Sequence, residues 1–136
     1  MYAVELPRAI VNQLLHHAQQ SSDSEVCGLI GGKGGVPSRC YPIANIASAP
    51  RRLFAMDPAQ QIAAMRSMRE HGEELFAIYH SHPFSPPIPS AADLAQANYP
   101  ETLYLIISLQ TQGVLEMQGF LLRNGSITVV PLNIVE

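Results

Sequence analysis

Four residues whose side chains can hold a metal and activate water lie within fourteen positions of one another. His80 and His82 stand two apart, and Ser90 and Asp93 stand three apart. In a strand, residues i and i+2 point to the same face, so the two histidines can converge on one ion. Two imidazoles and one carboxylate are the protein ligands of a catalytic zinc, with a fourth position left open for water. The pattern predicts a zinc site of His80, His82 and Asp93 and metal-dependent hydrolysis.

Each pair by itself also has a plain structural interpretation. Two histidines in this spacing can simply be exposed at a strand end, and Ser-x-x-Asp at a helix start resembles a capping box. The two roles of Asp93 can coexist, with one oxygen in the cap and the other on the metal. Four prolines between the pairs, at positions 83, 86, 87 and 89, restrict the loop and lower the entropy cost of holding Ser90 and Asp93 beside the histidines. The combination favours metal binding.

Such a hydrolase also needs a general base near the water. Glu25 is the strongest candidate, because it precedes a short apolar strand that can lie next to the histidine strand and bring the carboxylate to the metal. The other interpretation is a solvated carboxylate at a strand end. Cys27 is either a small buried strand residue or a further side chain facing the site. Glu70, Glu73, Glu74 and Glu101 are the other candidate bases. Glu73 and Glu74 are expected at the far end of the histidine strand, about 20 Å from the metal at about 3.3 Å per residue.

The elements around these residues alternate between helices and strands. A first helical pattern opens at Pro7 and has an apolar face of Ile10, Leu14 and Ala18. A second begins at Asp57-Pro58, where Asp suits the N-cap, and carries an apolar stripe of Ile62, Met65 and Met68. A short third helix is expected over 90–97. Strands are expected over 26–32, 39–47, 75–79, 103–107, 114–122 and 127–130, the last two joined by a turn at Asn124-Gly125.

Length, charge and composition bound the class of protein. The 136 residues suffice for a single α/β domain over 1–136, with one mixed β-sheet flanked by helices. A net charge of −3 argues against a nucleic-acid partner. No apolar run approaches the roughly 20 residues of a membrane span, and no signal-peptide pattern is evident. Two cysteines, Cys27 and Cys40, do not make a disulfide framework. We expect a cytoplasmic protein.

The chain resembles the JAMM/MPN metalloproteases. Their signature is an early Glu, then His-x-His, seven residues, Ser, two residues and Asp. This chain fills it with Glu25, His80, His82, Ser90 and Asp93. The local contexts at 25–31, 54–58 and 79–83 are also similar to those of the family. The likeness runs from about residue 3 to about residue 130.

This resemblance implies a cytidine-deaminase-like α/β fold, the JAMM/MPN fold, with His80, His82 and Asp93 as ligands of one zinc ion. It makes Glu25 the general base and Ser90 a stabiliser of the tetrahedral intermediate. The chain is similar in length to the compact prokaryotic members, whose substrates include ubiquitin-like sulfur-carrier proteins and their C-terminal adducts. The implied function is a zinc peptidase or isopeptidase acting on such a tail. If that tail ends in a free carboxylate, Arg51 and Arg52 are candidate contacts, although two solvated arginines are the other interpretation.

Two other functions belong to different classes. A non-catalytic, zinc-containing MPN-type interaction module would close its metal with a fourth protein ligand, for which Cys27 is the candidate. A zinc nucleobase deaminase would need His-x-Glu and Pro-Cys-x-x-Cys, and neither motif occurs in the chain.

Overall fold

A mixed β-sheet with helices on both faces forms the protein. The computed structural model describes residues 3–110 and 116–136. In chain order its elements are β1 (Val4–Pro7), α1 (Arg8–Gln19), β2 (Cys27–Lys33), β3 (Val36–Ile43), α2 (Pro58–Glu70), β4 (Glu74–His82), α3 (Ala91–Gln96), β5 (Leu103–Ser108), β6 (Glu116–Arg123), β7 (Ser126–Val130) and β8 (Leu132–Val135). Six strands pair in the order β3-β2-β4-β5-β6-β7, and β1 pairs with β8 in a second sheet.

The strand β5 shows how the layers are built. All six of its residues are buried, as expected of a central strand covered on both sides. Leu105 and Ile107 pack into the apolar core that contains α1, while Tyr104 and Ile106 pack into the core that contains α2. The alternation of side chains along a strand thus places one helix on each face. The predicted α/β architecture is confirmed.

The two long helices match the sequence patterns to different degrees. In α1 the predicted face of Ile10, Leu14 and Ala18 is buried. In α2 the predicted stripe is wrong at its first residue, because Ile62 is 60% exposed. Each three-residue step falls about 60° short of a full turn, so a stripe drawn through every third residue drifts off the buried face. The fully buried residues of α2 are Ala64 and Met68.

The strand predictions hold in the interior of the sheet and fail at its margins. The turn at Asn124-Gly125 joins β6 to β7, and both residues have positive φ, as a two-residue hairpin turn requires. β3 begins at Val36 rather than at the predicted residue 39. The parallel pairing of β1 with β8 was not predicted. Residues 114 and 115, expected to begin the sixth strand, lie outside the described residues.

The register of β2 against β4 brings the start of one strand to the end of the other. Cys27 pairs with His80, and the Ser81 N–H donates to the Val26 carbonyl at 3.0 Å. Continuing this antiparallel register by two residues places Glu25 opposite His82. The sheet therefore positions the candidate base beside the candidate ligands. Within the part of the chain that the structure describes, no helix is both long enough and apolar enough to span a membrane.

Candidate metal centre

His80 and His82 lie at the carboxyl end of β4 and project from one face of the sheet. Both residues are buried, with 1% and 2% of their surface exposed. Their Nε2 atoms are 3.1 Å apart, so the two rings converge as the spacing predicts. Ser81, between them, points away and accepts the Val26 N–H through its hydroxyl at 2.9 Å. The strand alternation thus separates a side chain that fixes the strands from two that face the site.

Asp93 completes the cluster from the first turn of α3. Its Oδ2 lies 3.2 Å from His80 Nε2 and 3.1 Å from His82 Nε2. The three candidate ligand atoms thus form a nearly equilateral triangle. Two ligands of a tetrahedral zinc at about 2.0 Å are about 3.3 Å apart, so the triangle has the size that one such ion requires. The donor set and its geometry fit a metal ion, and one side of the triangle remains for a fourth ligand.

The helix cap and the cluster share one atom of Asp93. Asp93 Oδ2 accepts the Ser90 N–H at 2.9 Å, and Ser90 Oγ accepts the Asp93 N–H at 3.1 Å, which is a complete capping box. The cap and the approach to the two imidazoles therefore coexist in one side chain. The oxygen that accepts the cap bond is also the one that lies within 3.2 Å of both imidazoles. The short first turn of α3 leaves the N–H and the imidazoles on the same side of the carboxylate.

The protonation of the cluster follows from burial and from the contacts within it. Burial acts to raise the pKa of Asp93, but hydrogen bonds from both imidazoles and from the Ser90 N–H outweigh it and hold that pKa well below its usual range. Burial lowers the pKa of His80. For His82 burial also acts to lower the pKa, but Asp93 and the Pro86 carbonyl together raise it. An ionised carboxylate beside imidazoles is an electrostatic environment that attracts a cation.

The proline-rich loop fixes which nitrogen of His82 faces the cluster. His82 Nδ1 lies 2.8 Å from the Pro86 carbonyl oxygen, which can only accept, so Nδ1 carries the proton and donates it. In the neutral ring the lone pair is then on Nε2, where it would face a bound metal ion; in the metal-free protein a proton on Nε2 bonds instead to Asp93 Oδ2. The loop is held in turn by Ser108, whose hydroxyl donates to the Ser85 carbonyl at 2.7 Å. The four prolines therefore lie in a segment that orients a ligand.

Glu25 is buried beside this cluster with 5% of its surface exposed. Its Oε1 is buried and has no hydrogen-bond partner among the described residues. Burial raises the pKa of Glu25 from 4.5 to about 7, with His82 opposing that rise. Its main chain is fixed by the Pro50 carbonyl, which accepts the Glu25 N–H at 2.7 Å. A carboxyl group that titrates near neutrality can both take and return a proton.

The structure places the other candidate bases away from the cluster. Glu73 and Glu74 lie at the start of β4, at the end opposite to His82. Glu70 is exposed at the end of α2, and Glu101 is exposed and 3.4 Å from Arg123. The site therefore contains one unassigned carboxylate, that of Glu25, among the described residues.

Cys27 does not join the cluster. Its thiol is buried and donates to the Ile43 carbonyl at 3.4 Å. Burial and the neighbouring Glu25 raise the pKa of Cys27 to about 12, which disfavours the thiolate that a metal requires. Among the described residues, the group of side chains able to hold a metal is His80, His82 and Asp93. Cys27 is a small core residue at this position.

One aromatic side chain at the site gave no signal of its own in the sequence. The ring of Phe54 stacks on His80 with 4.4 Å between centroids. Phe54 lies between β3 and α2, in a stretch without helical or strand periodicity. In the sequence, residues 54–58 stand out only by their similarity to the family's local context. The contact packs one face of a buried imidazole whose Nδ1 has no hydrogen-bond partner among the described residues.

The fold and the site together define a class: a mixed α/β domain whose cluster of two histidines and one aspartate can hold a metal ion beside a glutamate that titrates near neutrality. The family model for prokaryotic homologs of the JAB domain, Prok-JAB, matches residues 7–120. The chain belongs to this family, which confirms the resemblance to the JAMM/MPN metalloproteases.

Individual relatives agree with this membership. A CysO-cysteine peptidase of Mycobacterium bovis is 28% identical over all of this chain and 94% of its own length. A probable TtuB-protein conjugate cleaving protease of Thermus thermophilus is 32% identical over 88% of this chain and 76% of its own. The solution structure of protein DSY2949 from Desulfitobacterium hafniense has a TM-score of 0.87 and 34% identity, covering 98% of this chain and 93% of that one. The protein is therefore a hydrolase, and neither the interaction module nor the deaminase is supported.

Proposed function

We propose that the protein is a zinc-dependent peptidase or isopeptidase that hydrolyses the bond at the C-terminal tail of a ubiquitin-like or sulfur-carrier protein. The observation that carries the proposal is the position of Glu25. A buried carboxyl group with a pKa of about 7 lies beside three converging ligand atoms and has an oxygen with no partner among the described residues. A site that only held a metal for structure would have no use for it.

Zinc is the proposed ion because of the donor set. Two neutral imidazoles and one carboxylate, without a thiolate, are typical of catalytic zinc sites. The triangle of His80 Nε2, His82 Nε2 and Asp93 Oδ2, with sides of 3.1 to 3.2 Å, supports a tetrahedral ion with one further position. When bound, zinc supplies Lewis acidity that lowers the pKa of water and polarises a scissile carbonyl.

Glu25 is proposed to move the proton in both halves of the reaction. Its unpartnered Oε1 accepts the proton of the attacking water, and the same carboxyl group then returns it to the leaving amine. A pKa of about 7 suits both steps at neutral pH, because neither protonation state is strongly disfavoured. Such proton transfer typically contributes about 10²- to 10⁴-fold to the rate.

Ser90 is proposed to donate a hydrogen bond to the oxygen that becomes negatively charged. Its Oγ accepts the Asp93 N–H, so the capping bond uses a lone pair and leaves the hydroxyl proton available. The residue is exposed at the start of α3, next to Asp93. In well-studied enzymes the loss of one such donor costs about 3 kcal/mol of transition-state stabilisation.

The substrate class is supported by what the relatives are named for. One is a CysO-cysteine peptidase and another a probable TtuB-protein conjugate cleaving protease. Both names describe cleavage at a junction between a small protein and an attached group. The proposal extends this kind of substrate to the present chain, with both peptide and isopeptide linkages included.

The test uses zinc-loaded protein and a ubiquitin-like protein ending in Gly-Gly. That tail is joined either to one further residue by a peptide bond or to a lysine side chain by an isopeptide bond, and products are followed by mass spectrometry. We expect cleavage after the second glycine in at least one conjugate, loss of cleavage with a chelator, and recovery with zinc. Glu74→Gln, at the opposite end of β4, serves as the matched control and should cleave like the wild type. Intact conjugates after incubation with fully zinc-loaded protein would contradict the proposal.

A further inference from the structure

The segment between β3 and α2, residues 44–57, is ordered although it contains no helix or strand. Its two arms are joined by hydrogen bonds from Ile46 N to the Ala55 carbonyl at 2.8 Å and from Asp57 N to the Ala44 carbonyl at 3.0 Å. The side chain of Asn45 lies between the arms and takes part in four hydrogen bonds of 3.0 Å each. A tight turn at the tip is closed by Leu53 N, which donates to the Ala49 carbonyl at 3.0 Å. The tip is therefore held in one conformation.

Residues 44–57 are attached to the candidate metal centre at three points. The Pro50 carbonyl accepts the Glu25 N–H at 2.7 Å, and the ring of Phe54 stacks on His80 at 4.4 Å. Asn45 adds a third bond, to the Glu25 carbonyl, at 3.0 Å. Any side chain at positions 51 and 52 is thus presented at the rim of the site from a fixed backbone.

From this position the side chain of Arg51 contacts Phe84 in the proline-rich loop. Its guanidinium carbon lies 4.5 Å from the centroid of the Phe84 ring. Phe84 follows the candidate ligand His82 by two residues, which is at most about 7 Å of extended chain. The cation–π contact restrains the guanidinium over the ring, and the N–H groups of a guanidinium are strong donors for an anionic ligand.

Among residues 3–110 and 116–136, the structure gives Arg51 no carboxylate partner, whereas Arg8, Arg39 and Arg123 each have one. The neighbouring site carries the carboxylates of Glu25 and Asp93, and the whole chain has a net charge of −3. Arg51 supplies a cation at a fixed place on this rim, and its fork-shaped guanidinium matches a carboxylate through two parallel hydrogen bonds.

We propose that Arg51, stacked on Phe84, binds the free α-carboxylate of the leaving group, so that the enzyme prefers tails extended by a terminal amino acid over tails joined to a lysine side chain. This inference rests on the proposed function and narrows it to carboxy-terminal trimming. Arg51 is a specificity residue here, because it contacts the leaving group and takes no part in moving the proton.

The test gives the zinc-loaded protein three substrates built on one Gly-Gly tail: a terminal residue with a free carboxylate, the same residue as its C-terminal amide, and a lysine-linked conjugate. We expect kcat/KM for the free acid to exceed that for the amide by about tenfold or more, which is the worth of a charged hydrogen bond. Arg51→Gln should lower kcat/KM for the free acid to about the value for the amide, and so remove this preference. Arg52→Gln, the neighbouring arginine on the same tip, is the matched control and should retain it.

Binding provides a readout that does not depend on turnover. In the Glu25→Gln protein loaded with zinc, we expect the free-acid peptide to bind about tenfold more tightly than the amide by calorimetry, and Arg51→Gln to remove the difference. The inference would be overturned if the wild type cleaved the acid and the amide with equal kcat/KM and the two peptides bound with equal affinity. Cleavage of the lysine-linked conjugate at least as efficiently as the free acid, with no effect of Arg51→Gln on the free acid, would overturn it while leaving the proposed function standing. Cleavage of none of the three would contradict both.

Discussion

Ser90 and Asp93 are joined by two reciprocal hydrogen bonds, of 2.9 and 3.1 Å, and the Asp93 oxygen in the first of them is the one that faces both imidazoles. The start of α3 and the candidate metal centre therefore share the carboxylate of Asp93. The N–H of Ser90 directs Oδ2 at the histidines before any ion binds. This prior orientation lowers the entropy cost of assembling the ligand set.

Substitutions at Asp93 separate its two roles. We predict that Asp93→Asn retains most of the stability of α3, because an amide oxygen can still accept the Ser90 N–H, but loses zinc because the anionic ligand is gone. Asp93→Ala should lose zinc and about 1 kcal/mol of stability as well. Metal content by plasma mass spectrometry and urea unfolding of the chelated proteins measure the two effects. Zinc retained by Asp93→Ala at the wild-type level would mean that Asp93 is only a helix cap.

The raised pKa of Glu25 predicts a pH dependence of stability in the metal-free protein. Glu25 titrates at about 7 in the folded state and near 4.5 when unfolded, so only the folded state binds this proton between those values. Stability is therefore highest below the unfolded pKa and falls as pH rises through 7. Glu25→Gln should match the wild type at pH 4 and exceed it at pH 8 by up to about 3 kcal/mol.

The measurement for this prediction is denaturant unfolding of both proteins in the presence of a chelator, at several pH values from 4 to 8. The same substitution at exposed Glu74 is the control and should leave the stability unchanged throughout. A constant difference between Glu25→Gln and wild type at every pH would show that the carboxyl group is not destabilised by burial.

The buried carboxylate of Glu73 lies far from the cluster. We therefore predict that its hydrogen bonds contribute to the stability of the fold and do not affect metal binding. Glu73 accepts hydrogen bonds from Ser38 and Tyr41 and lies 3.9 Å from Arg39. Burial acts to raise the pKa of Glu73, but these partners outweigh it and lower the pKa below its ordinary value. Its contribution to stability is therefore complete above the unfolded pKa and is lost as pH falls through the folded one.

Removing one of these donors should be costly, because it leaves a buried charge with fewer hydrogen bonds. We expect Tyr41→Phe to lower the free energy of unfolding at pH 7 by about 1.5 to 3 kcal/mol. Arg39→Gln, which removes a half-exposed partner, should cost less than about 1 kcal/mol. Both variants should bind zinc like the wild type. A metal content that falls in Tyr41→Phe would contradict the separation of this network from the site.

The geometry of the candidate centre followed from the sequence to a large extent. A strand has a period of two, so His80 and His82 had to share a face, and Ser90 and Asp93 had the spacing of a helix start. The four prolines indicated that the intervening loop has little conformational freedom. These are local rules, and the structure brings the four residues together as expected. Their chemical roles remain proposals.

Contacts distant in sequence were not predictable in the same way. The pairing of β1 with β8 joins Val4 to Leu132, and no local pattern in either short strand identifies the other. Glu73 was expected only at the far end of the histidine strand, and its partners Ser38 and Tyr41 could not be predicted because they lie on a different strand. The position of Phe54 depends on a segment held by the side chain of Asn45 rather than by periodic secondary structure.

The most direct test of the account is zinc content and turnover measured together in Glu25→Gln and the wild type, purified without a metal-affinity tag. We predict close to one zinc per chain in both proteins, since Glu25 is not among the ligand atoms, and cleavage of a Gly-Gly-tailed conjugate by the wild type alone. Undiminished turnover in Glu25→Gln with its zinc in place would contradict the assignment of Glu25 as the general base and, with it, the proposed mechanism.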